Sequence, residues 1–127
     1  MRCLIVDDSA DFVDAARGLL KCHGIAVVGA ASTSAEALRC FEKLRPDVTL
    51  VDVDLGRESG FELVEQLQAV SHVPSHVILI STHAAQDFAD MIAGSPAIGF
   101  LSKSALSPDA IRALIRGSAS LEEGDHR

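Results

Sequence analysis

The hydrophobic positions of this chain form five short apolar runs, each followed by a segment with helical periodicity. The apolar runs predict β-strands over residues 2–6, 25–31, 48–51, 77–80 and 97–101. The segments after them predict helices over residues 9–22, 33–44, 61–70 and 84–93, and from residue 107 onwards. Nearly every strand position is apolar, and such strands are typical of a parallel sheet that is covered on both faces.

Capping residues support these helix boundaries. Ser9 is a favourable N-cap for the first helix, and Gly24 follows its end. Thr33 and Glu36 have the spacing of a capping box at the start of the second helix. Pro108 lies in the first turn of the last helix, where its missing N–H costs nothing. The local signals therefore agree with the periodicity.

Alternating strands and helices predict an α/β fold, in which helices on both faces cover a doubly wound, five-stranded parallel sheet. The 127 residues suffice for one domain, which we place at residues 1–120. We interpret residues 121–127 as a polar C-terminal tail.

Composition narrows the classes of partner. The chain is 48% hydrophobic and 23% charged, which is typical of a folded globular protein. Its formal net charge of −7 argues against direct nucleic acid binding, which needs a basic surface. No stretch is long and apolar enough for a signal peptide or a membrane span, so we expect no membrane contact. We interpret Cys3, Cys22 and Cys40 as buried or half-buried side chains in a reducing cytoplasm.

Polar residues whose side chains can bind a metal or take part in a reaction follow four of the predicted strands. The first strand ends at Asp7 and Asp8, and the third runs into Asp52, with Asp54 two residues later. The fourth strand is followed by Ser81, Thr82 and His83, and the fifth strand by Lys103. In open α/β sheets, ligands bind outside the carboxyl ends of the strands, so we expect these side chains to converge.

Several carboxylates at one edge of a sheet repel each other. Two unit charges about 4 Å apart at an effective dielectric of about 20 cost roughly 4 kcal/mol. The repulsion raises carboxyl pKa values unless a cation neutralises it. Mg²⁺ binds carboxylate, water and phosphate oxygens, so the cluster predicts a divalent metal site with Mg²⁺, or Mn²⁺, as the cofactor.

The sequence resembles the receiver domains of two-component response regulators, the CheY-like superfamily. The matching motifs are L-I-V-D-D-S at residues 4–9, R-P-D-V-T-L-V-D-V-D-L at 45–55, Gly60, and G-F-L-S-K at 99–103. The resemblance covers about residues 2–118 and implies a flavodoxin-like strand order of 2-1-3-4-5. It also implies a signalling domain that catalyses only its own phosphorylation and dephosphorylation.

The resemblance implies a role for each polar residue at the carboxyl ends of the strands, an edge of the sheet called the rim below. Asp52 would accept a phosphoryl group from a sensor histidine kinase or a phosphotransfer protein. Metal ligands would be Asp7, Asp8, Asp52 and the backbone carbonyl of Asp54. Contacts to the phosphoryl group and the switch would involve Ser81, Thr82, Lys103 and Phe100. Ser81 is preferred over Thr82 as the switch hydroxyl because it lies 22 residues before Lys103, which is the usual interval in the family. The output would be a change of protein partner, namely a downstream protein, an effector domain or a second phosphorylated copy forming a homodimer.

The chain departs from the family pattern at several positions. Ser104 follows Lys103 where the family usually has proline after a cis peptide, and a cis bond before another residue costs about 3–4 kcal/mol. Phe100 lacks the hydroxyl of a tyrosine, so it can respond only by moving. Asp54 and His83 would flank a water that attacks the phosphoryl group, and we hypothesise that they tune dephosphorylation.

Other classes share parts of this pattern. Asp52 and Asp54 match the D-x-D of haloacid-dehalogenase-like phosphohydrolases, although that motif usually follows the first strand. A flavodoxin-like nucleotide binder needs a phosphate-binding loop after the first strand, where Asp7 and Asp8 would repel phosphate. A receiver-like interaction module without phosphorylation is the third alternative, because of Ser104.

Overall fold

A five-stranded parallel sheet forms the centre of the computed structural model, which describes residues 1–71 and 75–125, the last seven of these as backbone alone. Its strands are β1 (Arg2–Val6), β2 (Ala26–Ala31), β3 (Val48–Asp52), β6 (His76–Ser81) and β7 (Gly99–Ser102). They are ordered β2-β1-β3-β6-β7, which is the order 2-1-3-4-5 within this sheet. The predicted fold class and strand order are therefore confirmed.

Helices cover both faces of the sheet. They are α1 (Ala10–Lys21), α2 (Ser34–Leu44), α3 (Gly60–Val70), α4 (Ala89–Ala93) and α5 (Pro108–Asp125). Along each strand, alternate residues belong to two separate hydrophobic clusters, since successive side chains of a strand point to opposite faces. Leu4, Val51 and Leu79 pack with residues of α2 and α3, whereas Ile5, Leu50 and Ile78 pack with residues of α1 and α5.

The predicted caps form. The Ser9 hydroxyl accepts a hydrogen bond from the N–H of Phe12 at 3.3 Å, and the Thr33 hydroxyl accepts one from Glu36 at 3.2 Å. The Glu36 carboxylate accepts from the N–H of Ser32 at 2.8 Å, so the two side chains together satisfy two donors of the turn. Local sequence thus determines where α1 and α2 begin.

The segment after β3 contains a structure that the sequence analysis interpreted as a loop. Strands β4 (Asp54–Leu55) and β5 (Glu58–Ser59) pair antiparallel and form a short hairpin. Gly56 in its turn has a φ of 72°, which costs glycine little because it has no Cβ. The hairpin leads directly into α3 and brings the start of that helix back to the end of β3.

Three other expectations need correction. Residues 84–93 are not one helix, because a 3-10 turn (Ala85–Phe88) precedes the five-residue α4. Cys22 is exposed after the end of α1, whereas Cys3 is buried and Cys40 half-buried. The fifth strand begins at Gly99 instead of residue 97.

Helix α5 continues to Asp125, so much of the predicted tail has a helical backbone. Residues 126–127 of that tail lie outside the described residues, and the domain boundary at residue 120 stays a prediction. Within the described ranges, no helix combines the length and the apolar character needed to span a bilayer.

Candidate functional site

Three carboxylates meet at the carboxyl end of the sheet. Val6 pairs with Val51 across β1 and β3, so Asp7 and Asp52, the next residues, lie side by side. One carboxylate oxygen from each of Asp7, Asp8 and Asp52 lies within 4.8 Å of the other two. Asp7 and Asp52 are buried, while Asp8 is exposed. The expected convergence of these carboxylates is thus observed in the structure.

Lys103 lies in a 3-10 turn (Lys103–Ala105) after β7, and its ammonium bridges two of these carboxylates. Its Nζ lies 2.6 Å from Asp7 Oδ2 and 3.1 Å from Asp52 Oδ2. The side chain of Lys103 is 15% exposed and that of Asp7 is fully buried, so water screens the first pair weakly. The described peptide bonds, including Lys103–Ser104, are trans. Lys103 therefore reaches the carboxylates from a trans backbone.

Burial and charge shift two pKa values in the site. Burial raises the pKa of Asp52 above its ordinary 3.8, against the lowering effect of hydrogen bonds from Asp54 and Lys103. Burial also lowers the pKa of Lys103, but its short contacts with the negatively charged carboxylates of Asp7 and Asp52 produce a net increase. Lys103 therefore remains a cation beside a carboxyl group that is costly to ionise.

The backbone after β3 shapes the surroundings of Asp52. The N–H of Asp54 donates to Asp52 Oδ1 at 3.0 Å, and the exposed Asp54 side chain accepts from Gly56 at 3.2 Å. A Cβ at Gly60 would lie 2.0 Å from the Asp52 carbonyl oxygen. Only glycine fits there, which gives a physical reason for the glycine that follows Asp52 by eight residues.

The end of β6 places its three polar residues differently. Ser81 is buried, and its hydroxyl accepts a hydrogen bond from the N–H of His83 at 3.0 Å. Thr82 and His83 are exposed. Ile80 pairs with Asp52, so Ser81 lies one residue beyond the strand partner of Asp52. Of the two candidate hydroxyls, the buried one is that of Ser81.

Aromatic side chains extend from this rim toward α3 and α4. The Phe88 ring lies 6.0 Å from His83, 5.9 Å from Phe61 and 6.3 Å from Phe100, measured between ring centroids. Phe100 is half-buried and packs against the core on the α2 and α3 face. Phe88 lies between Phe100 and His83, the two residues that the sequence marks as candidates, and its position depends on the 3-10 turn.

Phe12 is a residue of the site that the sequence pattern did not single out. Lys103 Nζ lies 4.4 Å from the centroid of the Phe12 ring, within the range of a cation–π contact. The available signal was its position three residues after the N-cap Ser9, which places it in the first turn of a helix that begins at the same rim.

The donor set fits a hard divalent cation. The three carboxylates provide oxygen atoms at one point, and oxygen is the ligand type that Mg²⁺ prefers. When all three are ionised, the single Lys103 ammonium leaves two negative charges uncompensated. A divalent ion would match that excess.

Comparison with known proteins agrees with this geometry. Residues 3–116 match the family model of the response regulator receiver domain. The chain belongs to this family. An uncharacterised transcriptional regulatory protein of Bacillus subtilis, YvfU, is 31% identical over 121 residues, which are 92% of this chain and 60% of that protein. The DNA-binding transcriptional activator EvgA of Escherichia coli is 27% identical over 103 residues, 81% of this chain and 50% of EvgA.

The fold of the receiver domain is shared with solved structures. The signal receiver domain of a response regulator named NarL from Mycobacterium tuberculosis superposes with a TM-score of 0.78 at 26% identity, covering 93% of this chain and 95% of that one. The chain spans 60% or less of the length of the curated relatives named above. This receiver domain is a signalling domain of a two-component system, and the match does not favour the phosphohydrolase or the module without phosphorylation.

Proposed function

We propose that this receiver domain accepts a phosphoryl group on Asp52 from a sensor histidine kinase or a phosphotransfer protein, in a reaction that needs Mg²⁺ or Mn²⁺. The bridging position of Lys103 carries the proposal, since its ammonium contacts Asp52 and Asp7 at once. This arrangement places a fixed positive charge where a phosphoryl group on Asp52 would bring negative oxygens.

In the proposed step, a carboxylate oxygen of Asp52 attacks the phosphorus of the donor. The new bond joins that oxygen to phosphorus, and the bond from phosphorus to the donor atom breaks, so the donor leaves with its electron pair. Asp52 must be ionised to attack, and the Lys103 ammonium favours that form against the effect of burial. Lys103 would then exchange its contact with the carboxylate for one with a phosphoryl oxygen.

Asp7, Asp8, Asp52 and the backbone carbonyl of Asp54 would hold the metal ion. When bound, the ion supplies positive charge that stabilises the phosphoryl oxygens during transfer. One oxygen of the Asp7 carboxylate, Oδ2, lies 2.6 Å from the Lys103 ammonium. Its other oxygen, Oδ1, accepts a hydrogen bond from the N–H of Ser9 at 2.8 Å. Asp8 is exposed, so its carboxylate is the one free to turn toward an ion.

Ser81 would report the modification. Its hydroxyl now accepts from His83, which leaves its proton available to donate to a phosphoryl oxygen. Thr82 would line the entrance and limit access of phosphodonors. Phe100 would move between buried and exposed positions as the segment after Ser81 shifts, and this movement would change the surface presented to partners.

Asp54 and His83 would set the lifetime of the phosphoryl group. Both are exposed, so a water molecule can reach them. Asp54 comes two residues after Asp52, and His83 comes two residues after Ser81. His83 could orient or deprotonate that water. We expect His83→Ala to change the phosphoryl half-life, and an unchanged half-life would remove His83 from this role.

Mass spectrometry after incubation with acetyl phosphate and Mg²⁺ tests the proposal. The wild type should gain the mass of one phosphoryl group, and Asp52→Asn should gain none. Asp14→Asn is the control, because it removes an exposed carboxylate of α1 that is not part of the acidic cluster, and it should still be labelled. Chelation with EDTA should strongly reduce labelling of the wild type.

An unlabelled wild type would contradict the proposal and favour a receiver-like module that acts without phosphorylation. Steady turnover of a phosphomonoester that is lost in Asp52→Asn would instead favour a phosphohydrolase using Asp52 and Asp54.

The partners follow from the same proposal. The output would be a downstream protein, an effector domain of the same regulator, or a second phosphorylated copy that forms a homodimer. The cytoplasm stays the predicted compartment.

A further inference from the structure

Phe12 and Lys103 are part of a closed ring of contacts at the start of α1. Asp7 Oδ1 accepts from the N–H of Ser9 at 2.8 Å, and the Ser9 hydroxyl accepts from the N–H of Phe12 at 3.3 Å. The Phe12 ring faces the Lys103 ammonium at 4.4 Å, and that ammonium lies 2.6 Å from Asp7 Oδ2. Each of these four residues is therefore held by the next, and this closed set of contacts includes the Lys103 ammonium of the candidate site.

A lysine needs such support more than an arginine would. Its ammonium is a point charge on a flexible four-carbon stem, so carboxylate contacts fix its position less strictly than the planar fork of an arginine. The Asp7 and Asp52 contacts hold Lys103 from the carboxylate side. The face of an aromatic ring attracts a cation and also excludes water from one side of it. Phe12 provides this second support.

Phe12 itself is placed rigidly enough for this task. It lies in the first turn of α1, whose N-cap hydroxyl bonds to the Phe12 N–H. Its side chain is half-buried and packs against the core on the α1 and α5 face. One part of the ring is thus anchored in the core, and the ring face points toward Lys103.

We propose that Phe12 is a positioning residue for phosphoryl transfer: its ring holds the Lys103 ammonium in the position from which it contacts Asp52. This inference rests on the proposed phosphorylation of Asp52, because the position of Lys103 matters for the rate only if phosphorus is attacked there. Phe12 does not touch the phosphoryl group and acts through Lys103. Packing alone would require an apolar residue at position 12, whereas positioning of Lys103 requires an aromatic one.

The first measurement is made on the metal-free, unphosphorylated protein and does not depend on the proposed function. In the wild type, the ring current of Phe12 should shift the εCH₂ proton signals of Lys103 upfield of those of Lys21 and Lys43, the two other lysines of the chain. Lys103→Arg assigns the signal. Phe12→Leu should abolish the upfield shift, and Phe12→Tyr should keep it.

The second measurement is the rate of labelling by acetyl phosphate at saturating Mg²⁺. Phe12→Leu should be labelled about three- to tenfold more slowly than the wild type, as expected for the loss of a shielded cation–π contact. Phe12→Tyr should remain within about twofold of the wild type, since its ring can still face the ammonium. Phe61→Leu is the matched control, because Phe61 is also half-buried but packs on the opposite core and does not face Lys103.

The outcomes separate the two proposals. If the wild type is not labelled at all, phosphorylation of Asp52 fails, and the lysine signal alone decides whether Phe12 holds Lys103. If the wild type is labelled and Phe12→Leu keeps its rate, the positioning role is wrong. Equal slowing in Phe12→Leu and Phe12→Tyr would also overturn it, because that result indicates packing. Circular dichroism of each variant identifies rate losses that come from unfolding.

Discussion

The two sides of the acidic site differ in how firmly they are built. On the β1, α1 and β7 side, Asp7 is buried and Lys103 is 15% exposed, and short contacts join them to Ser9 and Phe12. On the β6 and α4 side, residues 82–94 are exposed except for Phe88 and Ile92, which are half-buried. The first side is held by charge pairing and caps, and the second by a few aromatic contacts.

This difference indicates how one small domain can hold a site and also respond to it. A transferred phosphoryl group requires charges that are already in place, because arranging them during the reaction would add to the barrier. A response requires a segment that rearranges at low cost, and segments with few buried apolar contacts open most easily. Under the proposed function, the firm side would provide the first property and the exposed side the second.

The largest effect should come from Gly60→Ala at the start of α3, which packs against the backbone of Asp52 itself. The new Cβ would lie 2.0 Å from the Asp52 carbonyl oxygen and 2.8 Å from the Val53 Cα, and backbone atoms cannot move aside as a side chain can. We expect the free energy of unfolding to fall by about 3 kcal/mol in urea denaturation. Gly18→Ala is the control, because a Cβ there meets no atom within 4 Å, and it should be neutral or stabilising. A Gly60→Ala protein as stable as the wild type would contradict this packing.

Lys103→Met should have the next largest effect. It leaves the buried Asp7 carboxylate and Asp52 without their cation, which should lower the free energy of unfolding of the metal-free protein by about 2 kcal/mol at pH 7. Mg²⁺ should restore part of the loss, because a divalent cation compensates the same carboxylates. Lys43→Met, on the exposed surface of α2, should change stability by no more than about 0.5 kcal/mol. An equal loss in both variants would mean that the bridge contributes no stability.

Asp52→Asn should stabilise the metal-free protein at pH 7. Because burial raises the pKa of Asp52 above 3.8, the folded state binds the proton more tightly than the unfolded state does. The stability that this carboxyl contributes is complete below about pH 3.8 and is lost as the pH rises through the raised pKa. Urea denaturation at several pH values in EDTA should show the advantage of the variant growing from pH 3.8 upward, and an advantage confined to acid would reverse the sign.

The smallest effect should come from the exposed side. Phe88→Leu keeps an apolar side chain but removes the ring contacts with Phe61, His83 and Phe100, and we expect a loss of about 1 kcal/mol in unfolding free energy. Amide hydrogen exchange should increase in residues 85–93 and stay unchanged in α1. If exchange in α1 increased equally, the two sides would form one cooperative unit, and the contrast between them would be wrong.

Most of the site could be predicted because its residues stand where strands end. Asp7, Asp8 and Asp52 follow apolar runs, and the topology of a parallel sheet brings such positions to one edge. The choice of Ser81 over Thr82 agrees with burial, although its role in the switch stays a prediction. The hairpin of β4 and β5 was missed because two-residue strands have too few positions to show a period.

The sequence by itself determined the order of the elements, the caps of α1 and α2, and the set of carboxylates at the sheet edge, because these depend on local periodicity and neighbouring residues. Only the tertiary structure decided that Lys103 bridges Asp7 and Asp52, that Phe12 faces its ammonium, and that Phe88 joins His83 to Phe100. Lys103 is 51 residues from Asp52 along the chain. Contacts over such separations are set by how whole elements pack, which no local pattern encodes.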